Sequence, residues 1–163
     1  MCIFVSNNNL FFFYMQFIKI TSNTECGCLN DSHTDLTNMF VRKVRKAPDM
    51  KDADFKNHFE RGKTPETHTC DEVCGFHGVS IEIWNDDNSK ILLEKYLYTA
   101  GISPRHKNNL SVFRLKENAG VVKYTPHQME YSEHHYDFYK EDSFTVDRLE
   151  LIEMIPLIPN KDA

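Results

Sequence analysis

The stretch from Thr67 to Trp84 reads THTCDEVCGFHGVSIEIW and changes its period halfway. Thr69 and Glu72 have the spacing of a capping box, in which a threonine hydroxyl and a glutamate three residues on satisfy the free N–H groups of a helix start. This predicts a helix from Cys70 to about His77, with Gly78 just past its end. Beyond Gly78, Val79, Ile81 and Ile83 alternate with Ser80, Glu82 and Trp84, the two-residue period of a half-buried strand. A helix feeding a strand without a following βαβ alternation favours an α+β fold over a doubly wound sheet.

The flanking sequence supports that reading. Before the stretch, FVRKVRK (Phe40–Lys46) reads as a short strand or a basic, solvated segment. After Pro48-Asp49, MKDADFKNHFERG has Phe55 and Phe59 one turn apart, acidic residues early and Gly62 as a stop, predicting a helix. Downstream, NDDNS predicts a turn in which Asn88 or Ser89 caps a further helix, KILLEKYLYTAG. Its apolar face is Ile91, Leu92, Tyr96 and Leu97, and Gly101 ends it. Leu110–Leu115 and Val121–Thr125 read as a hairpin around KENAG, with Gly120 supplying a permissive backbone. His135–Lys140 predicts another strand. In RLELIEMIPL both faces are apolar, so the last strand is expected inside the sheet rather than at its edge. The expected architecture is a single α+β domain, with a mainly antiparallel sheet and two or three helices before and between its strands.

A chain of 163 residues has room for one domain with a core of its own. Residues 1–38 carry only Lys19, Glu25, Asp31 and Asp35, and the charged side chains become dense only after Met39. That shift sets 1–38 apart, as an extension or a start assigned too early, from a domain at 39–163. The run Leu10–Ile20, LFFFYMQFIKI, is too short for a membrane span, which needs about 20 apolar residues. It lacks the basic n-region and cleavage site of a signal peptide; packing on the core is its alternative use. The net charge of −5 argues against a nucleic-acid partner. Five cysteines form an odd set, and their spacing is not that of a disulfide scaffold. They are expected to be reduced, and the protein cytoplasmic.

Two clusters carry the residue types that chemistry requires. The first is the opening stretch. Cys70, Cys74 and His77 share one helical face, but helical rise separates the outer two by roughly 10 Å. One zinc ion, with bonds of about 2.0–2.3 Å, therefore cannot take all three. Cys70 at a helix N-terminus is a candidate nucleophile with His68 as its base, opposed by Asp71 and Glu72. The second is HQMEYSEHHYDFY (His127–Tyr139). On a strand, His135, Asp137 and Tyr139 would share one face, and His134, Tyr136 and Phe138 the other. Histidine beside carboxylates suits proton transfer near neutral pH.

No phosphate-binding glycine loop, nucleophile elbow or metalloprotease helix occurs. The sequence therefore points to a small intracellular binding or accessory module for a protein partner or small ligand, with no cofactor. The alternatives are a small transferase or hydrolase using His134 or His135 with Cys70 or His68, and a zinc-stabilised interaction domain. Convergence of Cys70 and the His127–Tyr139 segment on one pocket is the sign expected of an enzyme.

Overall fold

The computed structural model describes residues 15–45, 47–98, 108–126 and 133–157. Its centre is a six-stranded sheet in the order β4-β5-β2-β1-β3-β6. The strands are β1 (Met39–Val44), β2 (Val79–Trp84), β3 (Asn109–Leu115), β4 (Gly120–Tyr124), β5 (His135–Lys140) and β6 (Leu149–Pro156). Every pair is antiparallel. Three helices accompany them: α1 (Ile18–Thr21), α2 (Cys70–His77) and α3 (Ser89–Tyr98). The expected α+β class is the one found.

Three apolar clusters hold these layers together. Phe40, Val44, Ile81, Phe113, Val122 and Phe138 make the main core on one face of the sheet. On the other face α3 covers Val41, Leu110 and Val112 with Leu92. Beside it, Ile20 of α1, Cys74 of α2 and Cys28 between those helices cover Val121 and Tyr139. A chain reversal at Phe55 closes the main core: its ring, fully buried, meets Phe113 edge-on at 5.4 Å. Burying a side chain of that size stabilises by about 1.5–3 kcal/mol.

Several expectations need correction. Met50–Gly62 forms two short 3-10 turns, Asp52–Phe55 and Phe59–Arg61, in place of one helix. The Asp54 carboxylate accepts the N–H groups of Arg45 and Lys51, and Asn57 and Glu60 exchange bonds with each other's backbone. These local bonds compete with helical ones, and Lys56 between the turns is extended. On α3, Leu92 is buried while Ile91 and Leu97 are 63% and 37% exposed, so the apolar face is narrower than its sequence suggested.

β3 and β4 exist, but not as a hairpin. β3 pairs with β1 and β6, and β4 with β5. Only residues 116–119 separate strands four places apart in the sheet order. In a flat sheet that distance would be about 19 Å at ~4.8 Å per strand. A turn closed by the Ala119 N–H on the Lys116 carbonyl cannot reach so far, so the sheet curls around its main core. Gly120, at φ 145°, lies where a Cβ would stand 2.1 Å from the Tyr139 carbonyl oxygen.

β6 is an edge strand, contrary to the expectation that it lies inside the sheet. A register shift opposite Val112 and Phe113 pairs them with Glu153 and Leu151, leaving Ile152 as the extra residue. The bulge reverses the alternation. Leu149 and Met154 therefore reach the main core, while Ile155 reaches the cluster under α3. Two apolar faces here reflect a bulge and not an internal strand.

Two disulfides overturn the reduced-thiol expectation. Cys26 is bonded to Cys70 and Cys28 to Cys74, with Cα separations of 5.3 and 5.1 Å. They fasten the described part of the N-terminal segment to α2. The Asp142 carboxylate also accepts the N–H groups of Ile18 and Lys19 at the start of α1, and His33 exchanges backbone bonds with Val122 on the β4 edge. Residues 15–38 are thus built into the domain; Leu10–Tyr14 and Gly101 lie outside the described residues. Among the described residues no helix is long and apolar enough to cross a membrane.

Candidate functional site

The helix α2 forms as its sequence predicts. The Thr69 hydroxyl accepts the Glu72 N–H, but the Glu72 carboxylate reaches past Thr69 to the N–H groups of Glu66, Thr67 and His68. With a further bond from the Thr67 hydroxyl, these hold Glu72 down to about 2. Gly78 ends the helix with ordinary extended angles, so it is no left-handed stop. Its missing side chain makes room for Asp137: an added Cβ would lie 2.7 Å from that carboxyl.

From α2, side chains enter two separate hollows. His77 enters a groove of about 300 Å³ with Ile20 and Lys19 of α1, Asn57 between the 3-10 turns, Phe59 and Glu60 of the second turn, and Lys140, Asp142 and Phe144 at and beyond the end of β5. His77 is 4% exposed, and its ring lies tilted against that of Phe59 with centroids 4.4 Å apart. Its Nε2 has no partner, and burial lowers its pKa from the ordinary histidine value. Lys140 donates to Glu60 at 2.7 Å, and the Lys19 ammonium donates to the Asp142 carbonyl at 2.7 Å. Burial lowers Lys140, and Glu60 works against that.

Cys70 and Cys74 border the second hollow, about 140 Å³, with Gly27, Asp71, Lys123, Thr125 and Tyr139. Beneath it runs a buried polar row on β5. His135, Asp137 and Tyr139 share one face, as their alternation requires, since they pair with Glu82 and Ser80 of β2 and Val121 of β4. The His135 Nδ1 meets the Thr125 hydroxyl at 2.9 Å and the Thr125 carbonyl at 3.0 Å. The carbonyl can only accept, so Nδ1 carries the proton. Burial pushes Asp137 up to about 7, against a bond from the Thr125 side chain and the charge of Lys123. Its Oδ2 and the Tyr139 hydroxyl have no partner. Burial, then the nearby Asp137, raises Tyr139. Next along the row, Glu82 accepts from Lys95 at 2.8 Å and from the Tyr96 hydroxyl.

The structure thus brings Cys70 and the far end of the His127–Tyr139 segment to one cavity, but not as a nucleophile and base. The Cys70 sulfur is in a disulfide. His68 is exposed, with φ 55° and its N–H on Glu72. His134 is half-buried, and its carbonyl accepts the Ile83 N–H. His135 is enclosed. Residues 127–132 lie outside the described residues. The zinc alternative loses both sulfur ligands, and His77 faces the other hollow; among the described residues no cluster suits a metal ion. The sequence reading missed Lys140, Glu60 and Lys19, which are remote in sequence and carry no motif.

No protein-family model, curated protein or solved structure matches this chain.

Proposed function

We propose that the protein is a small binding module, stapled by its disulfides, whose ligand occupies the groove at His77. The carrying observation is the unpaired Nε2 of that buried ring. A buried polar atom without a partner costs about 1–3 kcal/mol, and a ligand able to hydrogen-bond there recovers it. The groove holds both signs of charge, Lys19 and Lys140 against Glu60, Glu141 and Asp142, over an apolar shelf of Ile20, Phe59 and Phe144. That combination suits a small zwitterion of amino-acid size. About 300 Å³ is at the lower end of ligand pockets.

The transferase or hydrolase reading is less well supported, because a bonded Cys70, an exposed His68 and an enclosed His135 do not meet at one reacting centre. Bridged cysteines also favour a compartment where disulfides persist over the reducing cytoplasm.

The experiment is a two-dimensional NMR titration of the full oxidised chain with the twenty free amino acids. Shifts should be confined to the Asn57 side-chain amide, His77 and residues 140–144, and His77→Phe should abolish them. Unperturbed spectra with every amino acid, or shifts elsewhere, would overturn the reading.

A further inference from the structure

Nothing in the groove reading uses the disulfides except as staples, yet the two bridges have different surroundings. Cys28 and Cys74 are 1% and 8% exposed and belong to a core cluster. Cys70 is exposed and Cys26 half-exposed. We propose that the Cys26–Cys70 bridge is redox-active, exchanging reversibly with dithiol substrates over the cavity at Tyr139, while Cys28–Cys74 is structural.

Four observations support this activity, which stands independently of the groove. The first is access: thiol–disulfide exchange needs approach to a sulfur, and Cys70 is exposed and lines the cavity, whereas Cys28 is 1% exposed and does not line it. The second is permission from the fold. The bridges have sequence separations of 44 and 46, and the loops they close overlap from Cys28 to Cys70. Opening the outer one therefore leaves the long loop closed by the inner one.

The third is the stabilisation of the leaving group. Cys70 is the first residue of the eight-residue helix α2, where free N–H groups and the helix dipole favour a thiolate. Lys123 faces the same cavity. Asp71 lines it as well, and the Glu72 carboxylate is taken up by three backbone N–H groups and the Thr67 hydroxyl.

The fourth is the cavity itself. Tyr139, 0% exposed, lines it with a hydroxyl that has no partner, and Thr125, which bonds His135, lines it too. About 140 Å³ accommodates a cysteine side chain beside the bridge, with the Tyr139 hydroxyl as a donor to its sulfur.

The exchange balances without a further reagent. One substrate thiol gives its proton to solvent and attacks the Cys70 sulfur, the one of this bridge that lines the cavity. The Cys26–Cys70 bond breaks, a mixed disulfide with Cys70 forms, and Cys26 leaves and takes a proton from solvent. The second substrate thiol gives its proton to solvent, attacks the substrate sulfur of the mixed disulfide and expels Cys70 as the thiolate. The substrate is oxidised to its disulfide, and the bridge is reduced to two cysteines.

The test uses the full oxidised chain and dithiothreitol without denaturant, quenched with iodoacetamide and mapped by mass spectrometry, with circular dichroism recorded alongside. Cys26 and Cys70 should be alkylated at least tenfold faster than Cys28 and Cys74, with the spectrum unchanged. Lys123→Gln should slow this reduction several-fold, and Tyr139→Phe, which removes the donor without changing any charge, should slow it several-fold too, a response that a merely accessible staple would not show. Reduction of both bridges together, reduction only in denaturant, or rates indifferent to both substitutions would each overturn the proposal.

Discussion

The Lys140 ammonium donates to both carboxylate oxygens of Glu60, at 2.9 and 2.7 Å, and so fastens the end of β5 to the turn before α2. The lysine is only 13% exposed and the glutamate 37%. Removing Glu60 therefore leaves a mostly buried cation without its partner, while the exposed side of the pair is screened. Glu60→Gln should cost about 1 kcal/mol, read as a fall in the urea midpoint.

The same pair carries a pH signature. Burial raises Glu60, but the bonds from Lys140 and the Asn57 N–H outweigh it and leave the carboxyl below its ordinary value. Its contribution is therefore present above about pH 4.3, the unfolded value, and is lost as pH falls through the lower native one. Glu60→Gln should match the unmodified chain more closely at pH 2 than at pH 6, by urea titrations at both.

Asp137 has the opposite sign. Burial holds its carboxyl at about 7 in the native state, against about 3.9 unfolded. Its contribution is complete below pH 4 and declines as pH rises to 7, because only the unfolded chain releases the proton. Asp137→Asn should remove that decline and gain on the order of 2–4 kcal/mol at pH 8. A stability profile from pH 4 to 8 for both proteins checks it.

Gly78 and Asp137 form a steric pair. A Cβ at position 78 would stand 2.7 Å from the Asp137 Oδ1 and 2.8 Å from its Cβ and Cγ. The φ of −74° suits any residue, so the penalty is contact alone. Gly78→Ala should destabilise by about 1–3 kcal/mol. Asp137→Ala removes two of the three contacts, so the double variant should recover about 1 kcal/mol, measured as a double-mutant cycle.

The local code was readable where one segment decided its own structure. Thr69, Glu72 and the alternation after Gly78 specify α2 and β2 without help from elsewhere. Failures came where distant residues intervened. Ile152 bulges because of its pairing with β3, so apolar residues on both faces of β6 looked like an internal strand. KENAG is a turn as read, but which strands it joins in space depends on the curl of the whole sheet. Odd cysteine parity misled for a related reason: pairing is a property of proximity, and Cys26 and Cys28 lie beside α2 because their segment packs against Val121 of β4 and Tyr139 of β5. The alternation of His135, Asp137 and Tyr139 was legible. That Thr125 would take the His135 Nδ1 was not, since strand register sets that contact.

Because the two disulfides close nearly the same loop, their contributions should be strongly non-additive. A crosslink spanning about 45 residues lowers the entropy of the unfolded chain by an equivalent of about 4 kcal/mol. Either bridge alone supplies nearly all of it, since the second closes only short extra loops, 26–28 and 70–74. Cys26→Ser with Cys70→Ser should therefore cost well under 4 kcal/mol. Cys28→Ser with Cys74→Ser should cost more, because it also places hydroxyls in the cluster of Ile20, Val121 and Tyr139. Replacing all four should exceed the sum of the two pair losses by about 2 kcal/mol or more. Urea unfolding of the three variants beside the oxidised chain measures the excess. Simple additivity would show that the bridges act through local packing and not through the shared loop.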